Sequence, residues 1–136
     1  MKKIDIYTDG AAKGNPGPAG IGVVVCDHNG YVFKNISKYI GETTNNVAEY
    51  SALIYALQEA LVLKAEEVRV WTDSELLYKQ IKGDYKVRHE NLKPLFEQIK
   101  HLSKGFISFE IHHISRDNNR GADRLANQAV KESKNN

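Results

Sequence analysis

The chain has 136 residues, of which 41% are hydrophobic and 26% charged, and a formal net charge of +2. These values suit one globular domain that buries a core without disulfides, and they exclude wholesale disorder or a fibrous chain. No apolar run reaches bilayer length, Asp5 and Asp9 interrupt any signal-peptide pattern after Lys2 and Lys3, and Cys26 has no partner cysteine. The expected setting is the reducing cytoplasm, away from membranes, with the chain acting as a monomer.

Lys3 to Thr8 alternates as a half-buried strand, with Ile4, Ile6 and Thr8 on one face. Gly10 to Gly20 reads as a loop, and the β-branched run Ile21 to Cys26 as a buried strand. Turn chemistry at Asp27 to Gly30 leads into a third strand, Tyr31 to Tyr39, which closes a hairpin. The period then becomes helical: Tyr50, Leu53, Ile54, Leu57 and Leu61 share a stripe behind cap candidates at Thr43 to Asn46. Val68 to Thr72 is a short strand, followed by a helix over 74–82 that Gly83 stops. Asn91 is expected to cap the next helix, whose stripe is Leu92, Leu95, Phe96, Ile99 and Leu102, with Pro94 in its first turn. Phe106 to Ile114 is the last strand, and Ala122, Leu125, Ala126, Ala129 and Val130 mark the final helix. Residues 1–131 form one domain, and 132–136 read as a frayed tail.

The order β-β-β-α-β-α-α-β-α predicts an α/β fold, a five-stranded mixed sheet with helices on both faces. A right-handed crossover through the long helix puts strand four beside strand one, running parallel, in the order 3-2-1-4-5. The crevice at their carboxyl ends is a topological switch point, where open α/β sheets bind ligands.

Two similar strings, Tyr7-Thr-Asp-Gly10 and Trp71-Thr-Asp-Ser74, each put an aspartate at the carboxyl end of a predicted strand. Each acid has a local explanation: Asp9 as a turn former, Asp73 as a helix N-cap. Glu49 stands at capping-box spacing from Asn46, and Asp123 suits the start of the last helix through the macrodipole. Spacing alone does not choose between four helix-start devices and one cluster. If the acids converge, their mutual repulsion calls for a cation, and all-oxygen ligands select Mg2+ or Mn2+ over zinc. Two such ions would suit phosphodiester cleavage. The glycine-rich segment is not a phosphate loop: it lacks the Gly-Lys-Ser/Thr ending, and Pro16 and Pro18 remove backbone donors.

Tyr7-Thr-Asp-Gly-Ala-Ala-Lys-Gly-Asn-Pro-Gly-Pro-Ala-Gly20, Thr43-Thr-Asn-Asn-Val-Ala-Glu-Tyr50, Trp71-Thr-Asp-Ser74 and Gly121-Ala-Asp-Arg-Leu-Ala-Asn127 closely resemble the four signature blocks of type 1 ribonuclease H. The resemblance runs from about Lys3 to Lys131. It implies that Asp9, Glu49, Asp73 and Asp123 are a metal-binding catalytic quartet. It further implies a two-metal endonuclease that cuts the RNA strand of RNA/DNA hybrids and leaves 5′-phosphate and 3′-hydroxyl ends. By the same resemblance Asn15, Asn45 and Asn46 contact the hybrid, Ser74 follows the third acid, and the amides of Asn15 and Asn45 offer donors and acceptors to a 2′-hydroxyl.

The stretch Lys79 to Lys93 is short where many bacterial members carry a basic protrusion, so the chain resembles the compact branch of the family. The mobile histidine that many members place before the fourth acid has two candidate successors here. Counting back without gaps from Asp123 selects His113, which falls in the predicted strand; the loop itself offers Arg116, whose alternative role is a surface pair with Asp117 or Glu132. Two other function classes fit these residues less well. A catalytically silent binding domain would have no reason to hold four repelling acids together. A haloacid-dehalogenase-like phosphatase needs an aspartate two residues after the first, and that position is Ala11.

Overall fold

The computed structural model describes residues 2–133. Five strands, β1 (Lys3–Ala12), β2 (Gly17–Asp27), β3 (Val32–Thr43), β4 (Glu67–Thr72) and β5 (Ser108–His113), form one sheet in the order β3-β2-β1-β4-β5. β1 to β3 are an antiparallel meander, while β1, β4 and β5 run parallel. The helices are α1 (Asn45–Val62), α2 (Glu75–Lys82), α3 (Lys93–Ser103) and α4 (Arg120–Ser133), the last preceded by a 3-10 turn at Arg116–Asn119. This is the expected mixed sheet and strand order.

Alternation places Ile4, Ile6, Ile21, Val23 and Val25 on one face of the sheet, all buried, against Leu53 and Leu57 of α1. Truncating Leu53 or Leu57 would cost roughly 2–5 kcal/mol, the range for a fully buried leucine. α4 packs on the opposite face, across β1, β2 and β3. Its small residues Ala122 and Ala126 approach so closely that a Cβ at Gly22 would enter their backbone.

That close approach explains the main correction to the sequence reading. β1 does not stop at Thr8, and Gly10 to Gly20 is not a loop. The antiparallel register continues through Asp9↔Gly22 and Ala11↔Gly20 to Ala12↔Ala19, so only 13–16 turns, closed by Lys13 N–H donating to Pro18 O at 2.8 Å. The glycines admit helices on both faces of a strand pair; they do not loosen it.

The caps differ as well. Of the candidates at Thr43 to Asn46 it is Thr44 that caps α1, its hydroxyl accepting from Val47 N–H at 3.2 Å, and the Asn46–Glu49 capping box is not formed. Ser74, not Asp73, caps α2, accepting from Leu77 N–H at 3.1 Å. Asn91 does not cap α3, which starts after Leu92 with no side-chain cap; the Asn91 N–H donates to His89 Nδ1. The last strand is shorter than 106–114 because its ladder with β4 begins at Glu67↔Ser108 and ends at Thr72↔His113. α4 continues to Ser133, so 132 and 133 are helical, and the rest of the expected tail lies outside the described residues.

Candidate active site

The parallel ladder between β1 and β4 ends at Thr8↔Thr72, and the next residue on each strand is an aspartate. Asp9 and Asp73 therefore emerge side by side at the switch point. Asp9 is not at a strand terminus, since β1 continues along β2, but it is where the parallel pairing stops. Glu49 arrives from the second turn of α1. A Cβ at Gly10 would overlap the Ala48–Glu49 backbone, so only glycine lets α1 come this near. The Gly10 N–H donates to Glu49 Oε1 at 2.5 Å, which replaces the expected capping role of Glu49 by a contact across the sheet.

Carboxylate oxygens of Asp9, Glu49 and Asp73 lie within 4.8 Å of one another. Asp9 and Glu49 are 5% and 6% exposed. Burial first, then Glu49 and Asp73, hold the Asp9 carboxyl well above the usual carboxylate range. Glu49 is raised for the same two reasons, burial and Asp73, against the pull of the Gly10 N–H and of Arg116. Without a cation this cluster cannot keep all its charges. The donors are hard oxygens with no sulfur or imidazole among them, so the set fits a divalent cation of the Mg2+ class.

Asp123, in the first turn of α4, faces the same open cleft of about 400 Å³. Its Oδ1 accepts from Asn127 Nδ2 at 3.2 Å and lies 3.5 Å from Arg116 Nη2. Arg116 thus pairs across the cleft mouth, not with Asp117 or Glu132. His113 is elsewhere: it ends β5 and its ring lies 5.8 Å from that of Tyr78 on α2. Asn45 and Ser74 line the cleft. Asn15 sits in the 13–16 turn and accepts from the Asn45 N–H at 3.1 Å, so its amide has its oxygen engaged and its NH2 free to donate. Asn46 is exposed at the start of α1, beyond the cleft lining. Trp71 packs between Tyr7 and His112, with ring centroids 6.1 and 4.4 Å away.

Sequence reasoning missed Asn119. It is 1% exposed, and its Nδ2 donates to Thr8 O at 2.8 Å and to Asp73 Oδ2 at 3.3 Å. One side chain thereby ties β1, at the point where its pairing with β4 stops, to the carboxylate that follows β4. The only hint in the sequence was its place four residues before Asp123.

A family model described as "Reverse transcriptase-like" matches residues 7–129. Ribonuclease H of Pseudomonas entomophila (strain L48) is 36% identical over 148 aligned residues, covering 95% of this chain and 94% of that protein. The chain belongs to the ribonuclease H family. The solved ribonuclease H structure of LC11-RNase H1 in complex with RNA/DNA hybrid superposes with a TM-score of 0.91 at 47% identity, covering 96% of this chain and 98% of that one. Bifunctional protein Rv2228c of Mycobacterium tuberculosis (strain ATCC 25618 / H37Rv) is 43% identical over 130 residues, 94% of this chain. The chain spans 35% of that longer protein, so the ribonuclease H unit is there one part of a larger chain.

Proposed function

We propose that this chain is a metal-dependent endoribonuclease that hydrolyses the RNA strand of RNA/DNA hybrids, leaving 5′-phosphate and 3′-hydroxyl ends. One observation carries the reading: three carboxylates converge within 4.8 Å where the parallel strands part, in a site that cannot stay fully ionised without a cation. The hybrid bound by the related LC11-RNase H1 supports the choice of substrate. Asp9, Glu49, Asp73 and Asp123 are the residues that would hold two Mg2+ ions, or Mn2+ in their place, and such ions supply an activated water and stabilise the leaving oxygen.

The remaining work belongs to the protein's own groups. The Gly10 N–H fixes the Glu49 carboxylate and Asn119 fixes Asp73, so neither must reorganise as substrate arrives. Arg116 has a side chain 78% exposed and stays cationic at any working pH, so it can hold a phosphate or the leaving oxygen but cannot shuttle a proton. Asn15, one lone pair of its oxygen taken by the Asn45 N–H, still offers its NH2 donors and a second lone pair to a 2′-hydroxyl. Asn45 and Asn46 flank it at the exposed start of α1, and Ser74 keeps its hydroxyl proton for a substrate oxygen while its lone pair caps α2. Sugar and phosphate contacts of this kind distinguish RNA from DNA without reading sequence.

The test is cleavage of one sequence prepared as hybrid, RNA duplex and DNA duplex, with and without Mg2+. Cutting confined to the RNA of the hybrid and dependent on the metal is expected. Metal-independent cutting, or a DNA duplex cut as fast as the hybrid, refutes the reading.

A further inference from the structure

α4 does more than deliver Asp123. Asp123 and Asn127, one turn apart, line the cleft, while Ala122, Ala126, Ala129 and Val130 are buried against the sheet. At about 100° per residue, Arg120, Lys131 and Arg124 fall together on the solvent crest of the helix, roughly 20–60° round from Asn127. All three are exposed. The ion pairs of the described residues engage Lys3, Lys34, Arg69, Lys93, His112 and Arg116, and none of these three cations. Lys131 stands in the last turn, where the macrodipole favours a cation, but Arg120 opens the helix, where it disfavours one, so helix stability does not explain the row as a whole.

We propose that this crest is a phosphate-binding surface that grips the backbone of the nucleic-acid duplex where it leaves the catalytic cleft. The proposal rests on the hybrid-cleaving function above. From Arg120 to Lys131 is eleven residues, about 16 Å of helix, against a phosphate every ~3.4 Å along one strand of a duplex. The crest therefore spans about five phosphates and meets two or three of them. Arg120 opens the helix that also carries the cleft residues Asp123 and Asn127, so the crest begins beside the site and leads outward from it. It also offsets the repulsion that the acidic cluster exerts on an approaching polyanion. Contacts to phosphate add affinity without selecting sequence.

The test compares hybrid binding by Asp73→Asn, which cannot cut, with the same protein carrying Arg124→Gln and Lys131→Gln. Each lost phosphate contact lowers the slope of log affinity on log salt by about 0.9, so the double change should reduce it by about 2. The reduction should appear with a hybrid of about 18 base pairs and vanish with one of about 6, too short to pass from the cleft over the crest. Arg124→Lys with Lys131→Arg should restore the slope, and in the otherwise native chain the Gln pair should leave kcat on the short hybrid unchanged. An unchanged slope on the long hybrid, or an equal loss on both lengths, overturns the proposal while leaving the hybrid-cleaving function standing. Failure of the unmodified chain to bind or cut any hybrid overturns both.

Discussion

Replacing Asn119 by alanine separates a residue that holds the fold from one that also sets the site. The side chain makes two hydrogen bonds in a place that is 1% exposed, at 2.8 Å to Thr8 O and 3.3 Å to Asp73 Oδ2. Alanine leaves the buried Thr8 carbonyl without this donor, at about 1–3 kcal/mol. It also removes Asn119 Oδ1, which has no partner of its own, so part of that cost returns. We expect a net loss near 2 kcal/mol, read as a lower midpoint of denaturant unfolding at unchanged m. The second effect is on Asp73, whose carboxylate loses the group that fixes its direction. Outer partners of ligand residues typically contribute roughly 10–100-fold in metal affinity or activity. The Mg2+ concentration giving half-maximal cleavage should therefore rise by that factor, with little change in KM for the hybrid. Asn119→Asp should be worse on both counts, since it sets a buried carboxylate against Asp73. If Asn119→Ala loses stability but keeps its Mg2+ requirement, Asn119 is only a tie between strands and the positioning argument fails.

Asp9→Asn and Asp73→Asn should each abolish cleavage and leave the metal-free fold intact or slightly more stable, because each removes a ligand and a repelling charge together. Asp9 and Glu49 are raised in the folded state above their ordinary values of 3.8 and 4.5, so the native protein holds protons that the unfolded chain has released. Stability in EDTA should then fall as pH rises above about 4, and both Mg2+ and Asp9→Asn should flatten the slope; a flat profile in the unmodified metal-free protein contradicts the burial argument. Arg116→Ala should lower kcat more than tenfold with a modest change in KM, whereas His113→Ala, which removes only packing against Tyr78, should act on stability. The reverse pattern in steady-state kinetics would return the loop role to His113.

What the sequence disclosed and what it hid divide along a physical line. Sheet order was legible because it follows from element order, crossover handedness and alternation, and Ile4, Ile6 and Thr8 are indeed all buried on one side. That Asp9 and Asp73 come side by side was legible for the same reason, although only Asp73 follows a strand end and Asp9 lies within β1, where its parallel pairing with β4 stops. Whether the acids were caps was not, since Asp73 and Ser74 both suit an N-cap and Asn46 and Glu49 have capping-box spacing. The choice was made in three dimensions: Ser74 takes the α2 cap, Thr44 takes that of α1, and Asp73 and Glu49 are released for the cluster. Glycine misled for a related reason. Gly10 and Gly20 bound the stretch expected as a loop, yet they, like Gly22 of the expected strand, are paired residues whose missing Cβ atoms admit α1 on one face and α4 on the other. This close approach puts the Gly10 N–H against Glu49 and seats α4 so that Asp123 faces the same cleft. The glycine-rich block therefore serves the site by shortening the distance between the elements that carry its acids.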